Sequence, residues 1–130
     1  MIRKRYALNV ALMLCISSAL YARSGKYAII GKWVNEHEDL KVEFYVGADS
    51  TLHAKLIWVK NERKKEREGM VFIKGMVYDE EQNRWLTEYM YSPDHKMVAK
   101  GILWIDEDGV LNVRGKKLGI SAVEKFYRIE

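Results

Sequence analysis

Three imidazoles, His37, His53 and His95, are the first groups to consider for acid–base or metal chemistry. They lie far apart and lack the short spacings of a zinc site. His37 sits in Glu36-His37-Glu38-Asp39, where carboxylates and an imidazole could gather round a cation. As a turn between strands the same four residues are simply solvated, and neither a metal nor a cofactor is expected. Ser24, Ser50, Ser92 and Ser121 include none in a Gly-x-Ser-x-Gly elbow. The acid pairs Glu80-Glu81 and Asp106-Asp108 fall where hairpin turns are expected, and no glycine-rich phosphate loop is present. The chain is therefore read as a non-enzyme, with no catalytic residue assigned.

The apolar inventory is richer. Trp33, Trp58, Trp85 and Trp104 stand with eight tyrosines and six methionines. Aromatic residues line small-molecule pockets, and methionine adapts to irregular shapes. The same residues can equally fill a core. Trp58, Tyr89 and Trp104 are the candidates for a ligand-binding wall.

These residues must be held by some framework, and the N-terminus shows which part of the chain supplies it. Arg3, Lys4 and Arg5 precede an apolar run from Ala7 to Leu20, and small residues follow at Ser17, Ala19 and Ala22. That order matches a secretory signal peptide helix over residues 1–22, cleaved after Ala22, with Ala19 as the alternative. The run is shorter than the roughly 18 apolar residues of a membrane span, so no stable membrane anchor is expected after cleavage. The expected location is the periplasm or the exterior.

Cleavage also changes the charge balance. The chain has 22 basic and 18 acidic residues, and three of the basic ones are in the signal. The remainder is nearly neutral, which removes the basic footprint of a nucleic-acid partner. Cys15, the single cysteine, is in the signal too, with Leu14 before it rather than the small residue of a lipoprotein site. The mature domain, residues 23–130, then has neither disulfide nor thiol and relies on its core.

From Ile29 onward the apolar period is two. Val42, Phe44 and Val46 alternate with Lys41, Glu43 and Tyr45, and Leu52, Ala54, Leu56 and Trp58 alternate in the next run. Further runs span 70–78, 85–91, 97–105, 110–115 and 122–129, separated by clusters of Asp, Asn, Ser and Gly that suit tight reversals. Asn61 to Glu68, NERKKERE, has mixed charge and reads as a solvated connection. Counting Gly31–Asn35 as the first, about eight strands follow in succession. They suggest an all-β, antiparallel up-and-down barrel, with a two-sheet sandwich as the rival.

The order of short motifs adds a resemblance. GKW, KVEFY, LHAKLIWVK, RWLTEYMYSPD, LNVRG and FYRIE, taken together, resemble the bacterial exported family called domain of unknown function 2147. Its members resemble lipocalin-like small β-barrels, with no activity established for the family as a whole. Gly31 and Trp33 match its opening Gly-x-Trp, and Val113, Arg114 and Gly115 match its Val-Arg-Gly. Ala54 replaces a glycine, Ser92 replaces the aspartate of a Tyr-Asp-Pro turn, and Phe126 replaces the tryptophan of a closing Trp-x-Arg. The resemblance implies that Gly31, Trp33 and Arg128 close one end of the barrel structurally. A small hydrophobic ligand in or at the mouth of the barrel is the functional expectation. The alternative is an envelope protein–protein interaction or inhibitor module with a filled barrel.

Overall fold

A computed structural model of the chain describes residues 25–117 and 120–130. The signal segment, residues 1–22, lies outside the described residues. Eight antiparallel strands follow one another: β1 (Gly31–Asn35), β2 (Leu40–Val46), β3 (Leu52–Val59), β4 (Val71–Asp79), β5 (Arg84–Ser92), β6 (Met97–Ile105), β7 (Leu111–Lys117) and β8 (Ile120–Arg128). Each pairs with its sequence neighbour, and β8 pairs with β1 through Trp33 opposite Arg128 and Asn35 opposite Phe126. That last pairing closes the sheet and excludes the two-sheet sandwich. Closure leaves no edge among the described strands.

Turn chemistry sets the reversals. Asn83 and Gly109 adopt positive φ in the β4–β5 and β6–β7 turns, a conformation that suits both residue types. In the β6–β7 turn the Asp106 carboxylate accepts from the backbone N–H of Asp108 and Val110, both at 3.0 Å. These bonds, that from Val110 foremost, hold its pKa below the usual carboxylate range. The β2–β3 turn is tied differently. Asp49 accepts from His53 Nε2 at 2.9 Å, from the Thr51 hydroxyl at 2.8 Å and from the Thr51 N–H at 3.0 Å. His53 Nδ1 accepts from the Gly75 N–H, so Nε2 carries the proton given to Asp49.

The strand pattern is interrupted twice, with consequences for the interior. Between β2 and β3 the register shifts so that Val42 faces Leu56 while Lys41 faces Trp58. Ile57 is the extra residue of a bulge, and Val59 rather than Trp58 resumes the buried face. Between β5 and β6 the register shifts between Thr87 and Met90. There the buried Thr87 hydroxyl donates to Lys74 O at 2.6 Å and accepts from the Tyr89 N–H at 3.0 Å.

The core occupies one half of the barrel. Trp33, Phe44, Leu52, Ala54, Ile73, Met76, Trp85, Leu103 and Leu111 are all buried there. The segment before β1 lies across this end. It opens with a 3-10 turn at Gly25–Tyr27, and Trp85 Nε1 on β5 donates to Lys26 O at 2.9 Å. On the far wall Arg128 donates to Ala28 O, and to Ile30 O at 2.9 Å. A short segment bonded to opposite walls caps the packed half.

Candidate functional site

The other half of the barrel is not filled. A cavity of about 710 Å³ lies there, open at one end. Val42, Leu56, Val59, Phe72, Met90, Met97, Ala99, Val113 and Phe126 supply its apolar walls. Small residues make part of the room. A Cβ on Gly101 would come within 2.9 Å of Met90 Cε, and one on Gly115 within 3.0 Å. Met90 thus extends from β5 over β6 and β7, with two glycines making way for its flexible thioether.

Polar groups gather round the mouth in two sets. On one side is the β3–β4 connection, whose Glu62–Arg67 stretch is a 3-10 helix capped by the Asn61 side chain accepting from the Arg63 N–H at 3.0 Å. Its Lys64 and Arg67 line the cavity and converge on Asp94 Oδ1, at 2.9 and 2.8 Å. These two cations, Arg67 foremost, depress the Asp94 pKa. The NERKKERE segment is thus more than the solvated connection its mixed charge suggests: successive turns of the 3-10 helix bring two of its cations to the cavity. Glu68 fastens the connection to the barrel by accepting from the Val59 N–H at 3.0 Å.

The second set is Asp39, from the β1–β2 turn, and Glu124, from β8. The buried Asn35 bridges them. Its Nδ2 donates to Asp39 Oδ1 and, at 3.3 Å, to Glu124 Oε1. Its Oδ1 accepts from the backbone N–H groups of Asp39 and Leu40, at 2.9 and 3.0 Å. Glu124 meets solvent through the mouth while the cavity walls strip part of its hydration. That desolvation, helped by the negative charge of Asp39, raises its pKa against the opposing bond from Asn35 and the nearby His37.

A family model described as "Uncharacterized protein conserved in bacteria", domain of unknown function 2147, matches residues 31–127. The chain belongs to this family. No curated protein and no solved structure matches it. The span shared with the domain of unknown function 2147 takes in every residue that lines the cavity, from Asp39 to Phe126. Ser92 and Phe126, two positions where the chain departs from the family motifs, are both in that lining.

The sequence-derived candidates divide cleanly. Gly31, Trp33 and Arg128 come together at the packed end. The Trp33 ring is wholly buried, its Nε1 donates to Ile29 O at 2.9 Å, and the Arg128 guanidinium lies 4.2 Å from the ring centroid. Gly31 has φ +129°, and a Cβ there would meet Glu130 O at 2.4 Å and Arg128 Nη1 at 2.8 Å. Only glycine fits that conformation and that space.

Trp58, Tyr89 and Trp104 do not line the cavity. All three stack against cations on the outer face: Lys41 and Lys65 over Trp58, Lys74 over Tyr89, Arg114 over Trp104. Two of these corrections have one cause. Counting by twos from Leu52 carries Trp58 inward, and counting from Thr87 carries Tyr89 inward. In each case a bulge inserts a residue and turns the aromatic out. Trp104 follows from strand parity alone, because Gly101 and Leu103 hold the inner face of β6.

Glu124, Asn35, Met90, Lys64 and Arg67 were not anticipated as site residues. For Glu124 a signal was present. It lies two residues before Phe126, so it shares that residue's face, and a carboxylate on the inner face of a strand asks for an explanation.

Proposed function

We propose that this protein is an exported carrier that binds a small apolar molecule in the open half of its barrel. The observation that carries the reading is the 710 Å³ cavity, walled mainly by Val, Leu, Met and Phe and open at one end. That volume falls in the range of sites for drug-sized ligands, about 300 to 1,000 Å³. Evolution commonly fills a barrel of this size with side chains, and here the packed half has them while the other half does not. Removal of residues 1–22 by a signal peptidase would deliver the domain to the periplasm or the exterior. On this reading the protein is a binding module and not an enzyme.

The test is mass spectrometry under native conditions on protein gently purified from a bacterial host. A discrete small molecule released on denaturation supports the carrier reading. Protein that is always empty, and indifferent to a panel of lipids and apolar dyes, overturns it. Amino-terminal sequencing of the same material reads the processing site.

A second reading has its own observation. Val77, Leu86 and Ile102 form a cross-strand apolar row on the outer face of β4, β5 and β6, with Val77 64% exposed. An envelope protein could bind that row. Cross-linking that captures one partner, lost on Val77→Lys, would favour an interaction module over a carrier.

A further inference from the structure

The charges at the cavity mouth are unequally paired, and this points to the chemistry of the occupant if the carrier reading, on which the inference rests, holds. On the side of the 3-10 helix, Lys64 and Arg67 already share the carboxylate of Asp94. Also at the mouth, Asp39 and Glu124 share one amide group, that of Asn35. Among the described residues neither of these two carboxylates forms an ion pair. The Asn35 carbonyl is occupied by two backbone donors, so its amide has nothing further to offer. Both residues are exposed, so at the edge of an apolar chamber two carboxylates sharing one neutral donor group are left open to a cation arriving with a ligand.

We propose that the cavity takes an amphipathic organic amine, with its apolar body against Leu56, Met90, Val113 and Phe126 and its protonated nitrogen between Glu124 and Asp39. A primary ammonium brings three donors and one positive charge, which two carboxylates can accept. A bare metal ion would leave the apolar walls uncovered. A fatty-acid headgroup would have to displace Asp94 from Lys64 and Arg67 or else face Glu124. The raised pKa of Glu124 agrees with this placement, since desolvation and the charge of Asp39 outweigh the Asn35 bond and the nearby His37 imidazole.

The experiment compares three ligands of equal chain length, decylamine, decanol and decanoate, below their micellar concentrations at pH 7.5. Each displaces the neutral apolar dye N-phenyl-1-naphthylamine from the purified, delipidated protein. Decylamine is expected to bind at least about tenfold tighter than decanol, and decanoate more weakly than decylamine. In Glu124→Gln the decylamine-to-decanol affinity ratio falls about tenfold, and Asp39→Asn provides a second variant should the first not fold. If the dye and decanol bind but decylamine has no advantage, or decanoate binds tightest, the amine assignment is overturned and the carrier reading stands. An amine preference that survives both substitutions overturns the role given to the two carboxylates. If neither dye nor any ligand binds, the carrier reading fails and this inference with it.

Discussion

Replacing Trp33 by alanine removes a wholly buried indole from the packed end of the barrel. Loss of a buried large aromatic costs about 3 to 5 kcal/mol, and the Ile29 carbonyl that accepts from Nε1 loses its donor as well. Domains of this size have total stabilities of about 5 to 15 kcal/mol, so the loss consumes much of the margin. At about 4 °C or more per kcal/mol, the Tm should fall by at least about 12 °C. A cycle built on Trp33→Leu and Arg128→Met separates the ring–guanidinium contact from general packing. Trp33→Leu leaves in place the bonds from Arg128 to Ala28 O and Ile30 O. The coupling energy therefore reports chiefly the cation over the ring, 4.2 Å away. It should be about 1 to 2 kcal/mol, the upper part of the range for such contacts, because this ring is shielded from water. Urea titration of the four proteins measures it. Effects that add to within about 0.3 kcal/mol would show that the guanidinium and the indole act independently, and a Tm unchanged in Trp33→Ala would end the argument for closure at this seam.

Other residues offer separate tests. Gly101→Ala places a methyl group 2.9 Å from Met90 Cε and 3.0 Å from Thr87 Cγ2. Stability should drop by about 1 to 2 kcal/mol from overpacking. Met90 should be pushed into the cavity, weakening decanol binding about fourfold, the equivalent of one methylene; unchanged binding would mean that Met90 does not bound the cavity. Asp49, with its pKa lowered to about 2 by the bond from His53 and those from Thr51, stabilises the fold above its unfolded pKa of about 3.9. That contribution is lost as pH falls towards 2, so the Tm difference between wild type and Asp49→Asn should shrink between pH 5 and pH 2; a constant difference refutes it. Glu124 has the opposite sign. Its raised pKa means that folding favours its protonated form relative to the unfolded chain, so its contribution is present below the unfolded value of about 4.3 and lost as pH rises past the folded value. Glu124→Gln should raise the Tm of ligand-free protein at pH 7 and have little effect at pH 4, and a lowered Tm at pH 7 would contradict the desolvation argument.

The barrel was legible because its determinants are local. Period-two runs such as Val42-Glu43-Phe44 and Asp, Asn and Gly clusters such as 106–109 define strands and reversals without knowledge of distant residues. The cavity was harder to read because it depends on which face each strand turns inward, and one inserted residue reverses that for everything beyond it. Ile57 does this to Trp58, and the Glu88-Tyr89 bulge does it to Tyr89. The ring of charges at the mouth was less legible still. Lys64, Arg67 and Asp94 meet through two different hairpin connections, and Asn35, Asp39 and Glu124 meet through the β1–β8 seam. Nothing in the local composition of any of these segments names its partner.

The seam has a consequence for how the molecule comes into being. Arg128 reaches back across 98 residues to bond Ile30, so β1 must wait for nearly the whole chain before it acquires its second neighbour. Until then a nascent chain presents one free strand edge at β1 and another at whichever strand was made last, both open to pairing with other chains. Contacts of such long sequence separation form slowly. Assembly of the barrel therefore has a vulnerable interval that ends only when the last strand docks, and a chaperone able to shield β1 would shorten the hazard without touching the finished protein.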